Sequence, residues 1–412
     1  MQGLSENKQQ FYLLVLVNAF VGAMLGLERA ILPSLGEQVF KLDAHTAILT
    51  FIMAFGITKA IGNYSVAQLT KWYSRKQILI AGWLFALPVP ILLMYAQSWW
   101  WVILANILLG INQGLSWSAT VIMKIDIVGV KNRGLAMGIN EFAGYLAVGL
   151  ASYLATHIAG TYGYAYFPFI PGLLFSISGL LISILLISDT THFVQAESKE
   201  SKIPIFKNVW LQTAWAHKNI GSVSLNGLVN NMNDAVVWGL LPLLLMQKNF
   251  SLSQIGIIAG VYPTVWGLLQ LFTGKMGDTY CKKQIITIGM CIQALAISIL
   301  ALSNNYIILI ASSIALGIGT AMVYPNFLTV VAENTHPTQR AESLSIFRFM
   351  RDGGYVIGAI VAGILADQLS MRSAIIFMAI LTALAGLLAN FRMCCTLKKV
   401  YPSEDCIWAA PY

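Results

Sequence analysis

Apolar residues run along this chain in stretches of about 20, separated by short polar connections, from residue 11 to residue 393. Twelve stretches can be read, near 11–33, 46–70, 77–96, 99–123, 134–158, 165–188, 220–246, 254–273, 284–303, 306–332, 342–366 and 372–393. A bilayer core about 30 Å thick takes roughly 20 apolar residues in a helix, so each stretch is long enough to span. The hydrophobicity is continuous, without period-two alternation, which predicts helices and not a transmembrane barrel. The first stretch has no small-residue cleavage site before the second and reads as a retained helix. The pattern predicts an all-α membrane protein.

Composition agrees. Hydrophobic residues make up 57% and charged residues 10%, against roughly 25% charged in a soluble domain. Lys and Arg are unevenly placed. If both ends lie on one side, that side carries eighteen basic residues and the other three, with four more inside the spans. This positive-inside bias predicts a multi-pass protein with both termini cytoplasmic, in the plasma membrane or the inner membrane of a Gram-negative cell. The net charge of +8 is therefore a topology signal, spread over short loops, and nucleic acid is not an expected partner. Trp99, Trp100 and Trp101 are expected at the outer interface, as an aromatic belt. Cys394 and Cys395 read as free cytoplasmic thiols.

The two halves repeat each other at an offset of about 207 residues. Arg75-Lys76-Gln77-Ile78 recurs as Lys282-Lys283-Gln284-Ile285, and Asp126 with Arg133 recurs as Glu333 with Arg340. Gly110 maps to Gly317, and Leu32-Pro33 to Leu241-Pro242 with a slip of two. The expected organisation is two pseudo-symmetric six-helix bundles, 1–188 and 220–393, a cytoplasmic linker 189–219 and a tail 394–412. Equivalent halves around a midplane site are the architecture of alternating-access carriers.

With these features the sequence resembles the major facilitator superfamily over nearly its whole length. The segment GKMGDTYCKK is similar to that family's loop signature at Gly274, Asp278, Lys282 and Lys283. The first-half copy, AQLTKWYSRK, keeps Leu69, Arg75 and Lys76, with Lys71 at the usual Asp position and Ala67 and Ser74 at Gly positions. The resemblance implies that Asp278 braces the cytoplasmic gate against a helix start in the opposite half. It also implies that the second and eleventh spans face each other. Asn106 stands where the drug-antiporter branch carries an Arg, and the fifth span lacks that branch's Pro.

Charges inside a bilayer cost at least about 2.5–3.5 kcal/mol each and need a reason. Within the spans lie Glu28, Arg29, Lys59, Glu141, Asp234, Arg348, Arg351 and Asp352. Four acids match four bases, so the tally does not disclose a substrate charge. Arg348, Arg351, Asp352 and Tyr355 share one helix face, as do Gly56, Lys59 and Asn63. Asn226, Asn230, Asn233 and Asp234 form a stripe in span seven. Gly22 and Gly26 are expected to allow close helix packing.

The expected substrate path or coupling set is Arg29, Lys59, Glu141, Asn230, Asp234, Arg348, Arg351 and Asp352. Asp126–Arg133 and Glu333–Arg340, with Arg75, Lys76, Gly274, Asp278, Lys282 and Lys283, are expected to form the cytoplasmic gate. No His has metal-ligand spacing, so no metal is expected; a phosphate loop is missing, and no cofactor is expected. A membrane enzyme would need a nucleophile or His–acid pair at membrane depth, which the sequence does not offer. The expected function is secondary transport of a small solute by a monomer in the lipid bilayer, through proton-coupled efflux, with proton-coupled uptake as the alternative. Buried carboxylates can exchange protons near neutral pH, and Asp234, with only Asn neighbours on its helix, is the leading carrier, ahead of Glu141. Asp278→Asn is expected to shift the protein toward inward-open states and depress transport. Cysteine accessibility and flux matching the wild type would remove Asp278 from the gate.

Overall fold

The computed structural model describes residues 6–70, 72–128, 133–190 and 205–395. Among these the chain is helical, without strands, and twelve helices are long and apolar enough to cross a membrane. They are α1 (Lys8–Gln38), α2 (His45–Val66), α3 (Arg75–Met94), α4 (Trp99–Lys124), α5 (Gly138–Tyr162) and α6 (Phe167–Leu185). The rest are α7 (Lys218–Gln247), α8 (Leu252–Gly274), α9 (Lys282–Leu302), α10 (Tyr306–Glu333), α11 (Glu342–Gln368) and α12 (Met371–Arg392). The spans agree with the hydrophobic stretches to within a few residues at most boundaries.

Local chemistry sets several ends. Ser74 begins α3 with a capping box: its hydroxyl accepts from the Gln77 N–H at 3.3 Å, and the Gln77 side chain accepts from the Ser74 N–H at 2.9 Å. A Ser at this position therefore satisfies orphan helix donors that Gly could not. Ser251 and Gln254 repeat the device at α8. Pro33 interrupts α1, which restarts at Leu32, because Pro lacks the N–H that would continue the ladder. Its repeat partner Pro242 sits inside a continuous α7. A π-helical turn at Gln113–Trp117 swells α4 and rotates the residues after it, a feature common at functional sites.

Small residues bring the helices together. A Cβ at Gly22 would overlap the Gly144 carbonyl, and one at Gly26 would overlap that of Val148, so α1 and α5 touch backbone to backbone. This is the close packing read from the sequence. The two halves meet along α2 against α11 and along α5 against α8. A Cβ at Gly56 of α2 would lie 2.6 Å from the Tyr355 Cβ of α11. The juxtaposition of the second and eleventh spans is thus observed.

Three expectations change. Lys124, counted among the loop charges, is 1% exposed; its ammonium donates to the Leu14 carbonyl at 3.1 Å and to the Asn140 side chain. Trp99 is not a belt residue: it packs against Phe40 and Phe51 and donates to Thr50 Oγ1 at 2.7 Å, while Trp100 is exposed. Cys395 is bonded to Cys281, with Cα atoms 5.6 Å apart; the loop before α9 and the end of α12 converge there, although 114 residues separate them in sequence. Gly26→Leu is expected to cost about 1–3 kcal/mol through overpacking, read as a lower Tm of the purified protein in detergent. Gly353→Ala, inside α11 where a Cβ meets nothing within 4 Å, should instead leave stability unchanged or raise it by up to about 1 kcal/mol.

Candidate functional site

Asp352 of α11 lies at the centre of the contact between halves. It is 1% exposed and accepts from Asn63 of α2 at 2.5 Å, Asn231 of α7 at 3.1 Å and Arg351 at 3.3 Å. The Lys59 ammonium of α2 is 3.8 Å away. A chain of hydrogen bonds continues outward: Ser118 of α4 donates to Asn63 at 2.6 Å, and Arg348 donates to Ser118 at 3.1 Å. The expected polar faces of α2 and α11 therefore meet, joined by residues of α4 and α7.

Asp234 of α7 sits nearby with different partners. Its carboxylate accepts from Tyr262 of α8 at 2.6 Å and from Tyr355 of α11 at 3.3 Å. Hydroxyls can both donate and accept, whereas ammonium, guanidinium and amide N–H groups only donate. Asp234 can take up a proton and keep its hydrogen bonds by turning one round; a proton on Asp352 would displace an N–H donor that cannot turn round. Glu141 of α5 accepts at one oxygen from Trp117 at 3.0 Å and Asn140 at 2.9 Å.

The cations are stacked on rings, which compensates part of their desolvation. The Arg29 guanidinium lies 4.1 Å from the Phe55 centroid, and that of Arg351 lies 4.3 Å from the Tyr324 centroid. Lys59 approaches Phe55 and Tyr355 at 5.4 and 5.3 Å. Tyr145 of α5 stacks on Trp266 of α8 at 3.6 Å between centroids, a contact made across the two halves.

The structure brings Arg29, Lys59, Asp234, Arg351 and Asp352 into one buried cluster, with Arg348 and Glu141 at its margin. Asn230 is buried beside it on α7, and neither atom of its amide has a partner among the described residues. Asn233 leaves the stripe, bonding Gln293 at 3.3 Å and Thr382 at 2.8 Å inside the second half. Glu28 borders a small apolar pocket lined by Met24, Leu27, Val89, Pro90, Leu93 and Phe169, and its carboxylate still acts through space on Arg29. The sequence reading missed Trp117, Tyr145, Tyr262, Trp266 and Tyr324. Their position was the available signal: Trp and Tyr belong at bilayer interfaces, and these five lie well inside their spans.

At the face where the described residues begin and end, Arg75 meets Asp126 at 2.6 Å and Lys282 meets Glu333 at 3.1 Å. These are the same bridge in the two repeats, tying the start of α3 or α9 to the end of α4 or α10. The Lys76 amide donates to Asp189 at 3.2 Å and its ammonium to the Ile184 carbonyl at 2.8 Å. A Cβ at Gly274 meets nothing within 4 Å, and Lys283 is half-buried. The side chains of Arg133, Asp278 and Arg340, and all of Lys71, lie outside the described residues. At the opposite face, Asp367 of α11 accepts from His45 N, His45 Nδ1, Thr46 N and Thr46 Oγ1 at 2.6–3.0 Å. It caps the start of α2 across the halves.

Comparison with known proteins now decides the family. The Major Facilitator Superfamily model matches residues 12–219 and 223–397. The chain belongs to the Major Facilitator Superfamily. Among relatives of this superfamily member, an uncharacterised MFS-type transporter of Methanocaldococcus jannaschii is 24% identical over 347 residues, covering 82% of this chain and 87% of its own. The multidrug resistance protein MdtG of Proteus mirabilis is 23% identical over 385 residues, covering 90% and 92%. A crystal structure of a bacterial homologue of the human lysosomal transporter Spinster, inward-facing and unoccupied, shares the fold with a TM-score of 0.72 at 11% identity, covering 94% of this chain and 96% of that one. The superfamily member is thus a multi-pass membrane transporter of small molecules.

The bridge in the first repeat can be tested by a double-mutant cycle on Arg75→Ala and Asp126→Ala. Contacting charges are expected to show a coupling energy of about 0.5–3 kcal/mol in thermal or denaturant unfolding. Additive effects would mean that the bridge contributes nothing to stability.

Proposed function

We propose that this transporter exports a small solute in exchange for protons, by alternating access around the buried cluster of α1, α2, α7 and α11. The observation that carries the reading is the placement of that cluster: charges held at membrane depth, at the junction of halves that must separate for access to alternate. Arg29, Lys59, Asn230, Arg348 and Arg351 are proposed to line the path. Asp234 is proposed as the proton carrier, with Glu141 in reserve, because its tyrosine partners tolerate both protonation states. Asp352 is proposed as the fixed counter-charge of Lys59 and Arg351. The bridges Arg75–Asp126 and Lys282–Glu333, together with Lys76, Arg133, Gly274, Asp278, Lys283 and Arg340, are proposed to form a gate at the cytoplasmic face.

Further support is indirect. The +8 net charge and its concentration in the loops on the terminal side favour cytoplasmic termini in a plasma or inner membrane. A relative named for multidrug resistance, matched over nearly its full length, favours efflux. The reading takes the two halves, joined by 189–219, as one monomeric unit.

Flux in proteoliposomes with an imposed pH gradient tests the coupling. Asp234→Asn is expected to abolish pH-driven accumulation, a loss of about tenfold or more, while retaining solute exchange at equal pH. Accumulation surviving in that variant would exclude Asp234 as the carrier. Uptake that follows protons down their gradient would replace antiport by symport.

A further inference from the structure

The hydrogen-bonding capacity left open in the buried cluster is not neutral. Asp234 and Asp352 have their carboxylates taken up by tyrosine, asparagine, Lys59 and Arg351. The guanidinium groups do not. Arg29 is 1% exposed and keeps Nη1 and Nη2 without a partner among the described residues; Arg351 is 3% exposed and keeps Nε and Nη2 without one. Buried donors left unpaired are costly, and more so when charged. Rings carry these cations from the face, and ring stacking leaves the in-plane N–H groups open. The in-plane fork of a guanidinium matches a carboxylate or another planar oxyanion in bidentate fashion.

The equality of acids and bases in the sequence does not survive at the path. Glu28 lines the apolar pocket between α1, α3 and α6; it acts on Arg29 through space, but no hydrogen bond joins the two. Arg29, Lys59, Arg348 and Arg351 remain, against Glu141, Asp234 and Asp352. Of these acids only Glu141 keeps an oxygen without a hydrogen bond, Oε2; its other oxygen accepts from Asn140 and Trp117.

An aromatic surface adjoins the open donors. Tyr324, under Arg351, meets Trp266 edge-on at 5.9 Å, and Trp266 stacks on Tyr145, which packs on Trp117 at 5.2 Å. Tyr145 belongs to the first half and Trp266 to the second. Parting the halves would separate this stack and expose two ring faces, a slot that a planar aromatic body fills by taking their place. We propose that the substrates of this transporter are aromatic organic anions. The acidic group is held by Arg351, with Arg29 as the second donor, and the ring lies between Tyr145 and Trp266. The proposal rests on the transport reading above and deepens it.

Binding to the purified protein in nanodiscs, followed by tryptophan quenching, tests the class with three probes of one ring: naphthalene-2-carboxylate, naphthalene-2-carboxamide and 2-naphthylmethylammonium. The carboxylate is expected to bind saturably and about tenfold tighter than either of the others. Arg351→Gln and Arg29→Gln should remove that preference, whereas Tyr145→Ala should weaken all three alike. An ammonium probe binding as well as the carboxylate, no saturable binding of the carboxylate, or an unchanged preference in both Arg variants would each overturn the proposal. Should Arg351→Gln fail to fold, Arg29→Gln and the wild-type comparison still decide. Proteoliposome flux separates the two levels of inference. A carboxylate that binds but never crosses removes the transport reading and keeps the ligand class. An ammonium that crosses while the carboxylate does not keeps transport and removes the class.

Discussion

The carboxylate of Asp352 is the interaction on which the interior depends. A bilayer gives a charged group no water, so every intramembrane charge must find compensation from the protein. Asp352 provides it for Lys59 and Arg351 together, and it accepts from Asn63 and Asn231 as well. Helices α2, α7 and α11 therefore converge on one residue. The remaining burden falls on aromatic rings, which attract cations through their faces without adding negative charge. Without Asp352, two cations and two amides would lose an acceptor at once. Removing one partner of a buried pair costs more than the pair contributes.

Much of this architecture was legible in the sequence, because a bilayer restricts what a chain can do. Length, apolarity and loop charge gave twelve helices at nearly their final bounds. The 207-residue offset matched Arg75 to Lys282 and Asp126 to Glu333, and the structure joins these residues in equivalent bridges. The pairing itself was less accessible. Arg133 lies seven residues from Asp126 and drew the eye along the chain, while Arg75 reaches Asp126 from another helix. Helical periodicity tells which residues share a face, and it placed Lys59 with Asn63 and Arg348 with Asp352. It does not tell what a face meets. The π-helical turn in α4 breaks that periodicity, which hid the place of Trp117. Lys124 looked like a loop charge because a span end and a buried site can be one turn apart.

The repeats have diverged most where chemistry is concentrated. At the terminal face the two halves keep matching bridges; at membrane depth they do not correspond. Pro33 breaks α1 while Pro242 leaves α7 unbroken. Asp234 on α7 meets two tyrosines, whereas the acid of α1, Glu28, faces an apolar pocket. The first half contributes Arg29, Lys59 and Glu141, and the second contributes Asp234, Asp352, Arg348 and Arg351. Symmetric mechanics thus frame an asymmetric charge distribution, in which Lys59 of the first half finds its carboxylate, Asp352, in the second.

Asp367 and Asp352 stand fifteen residues apart on α11, about 22 Å along the axis. One grips the first turn of α2 through His45 and Thr46, and the other holds α2 near its far end through Asn63. With the Asp352 contact taken as the fulcrum, the Asp367 contact sits at the tip of a lever. A tilt of about 10° about the fulcrum moves the tip by about 4 Å over that arm. That displacement breaks all four hydrogen bonds at Asp367 and barely stretches those at Asp352. Release at the rim is therefore mechanically separable from release at Asp352, and the face that carries Asp367 can yield first while the Asp352 contacts hold.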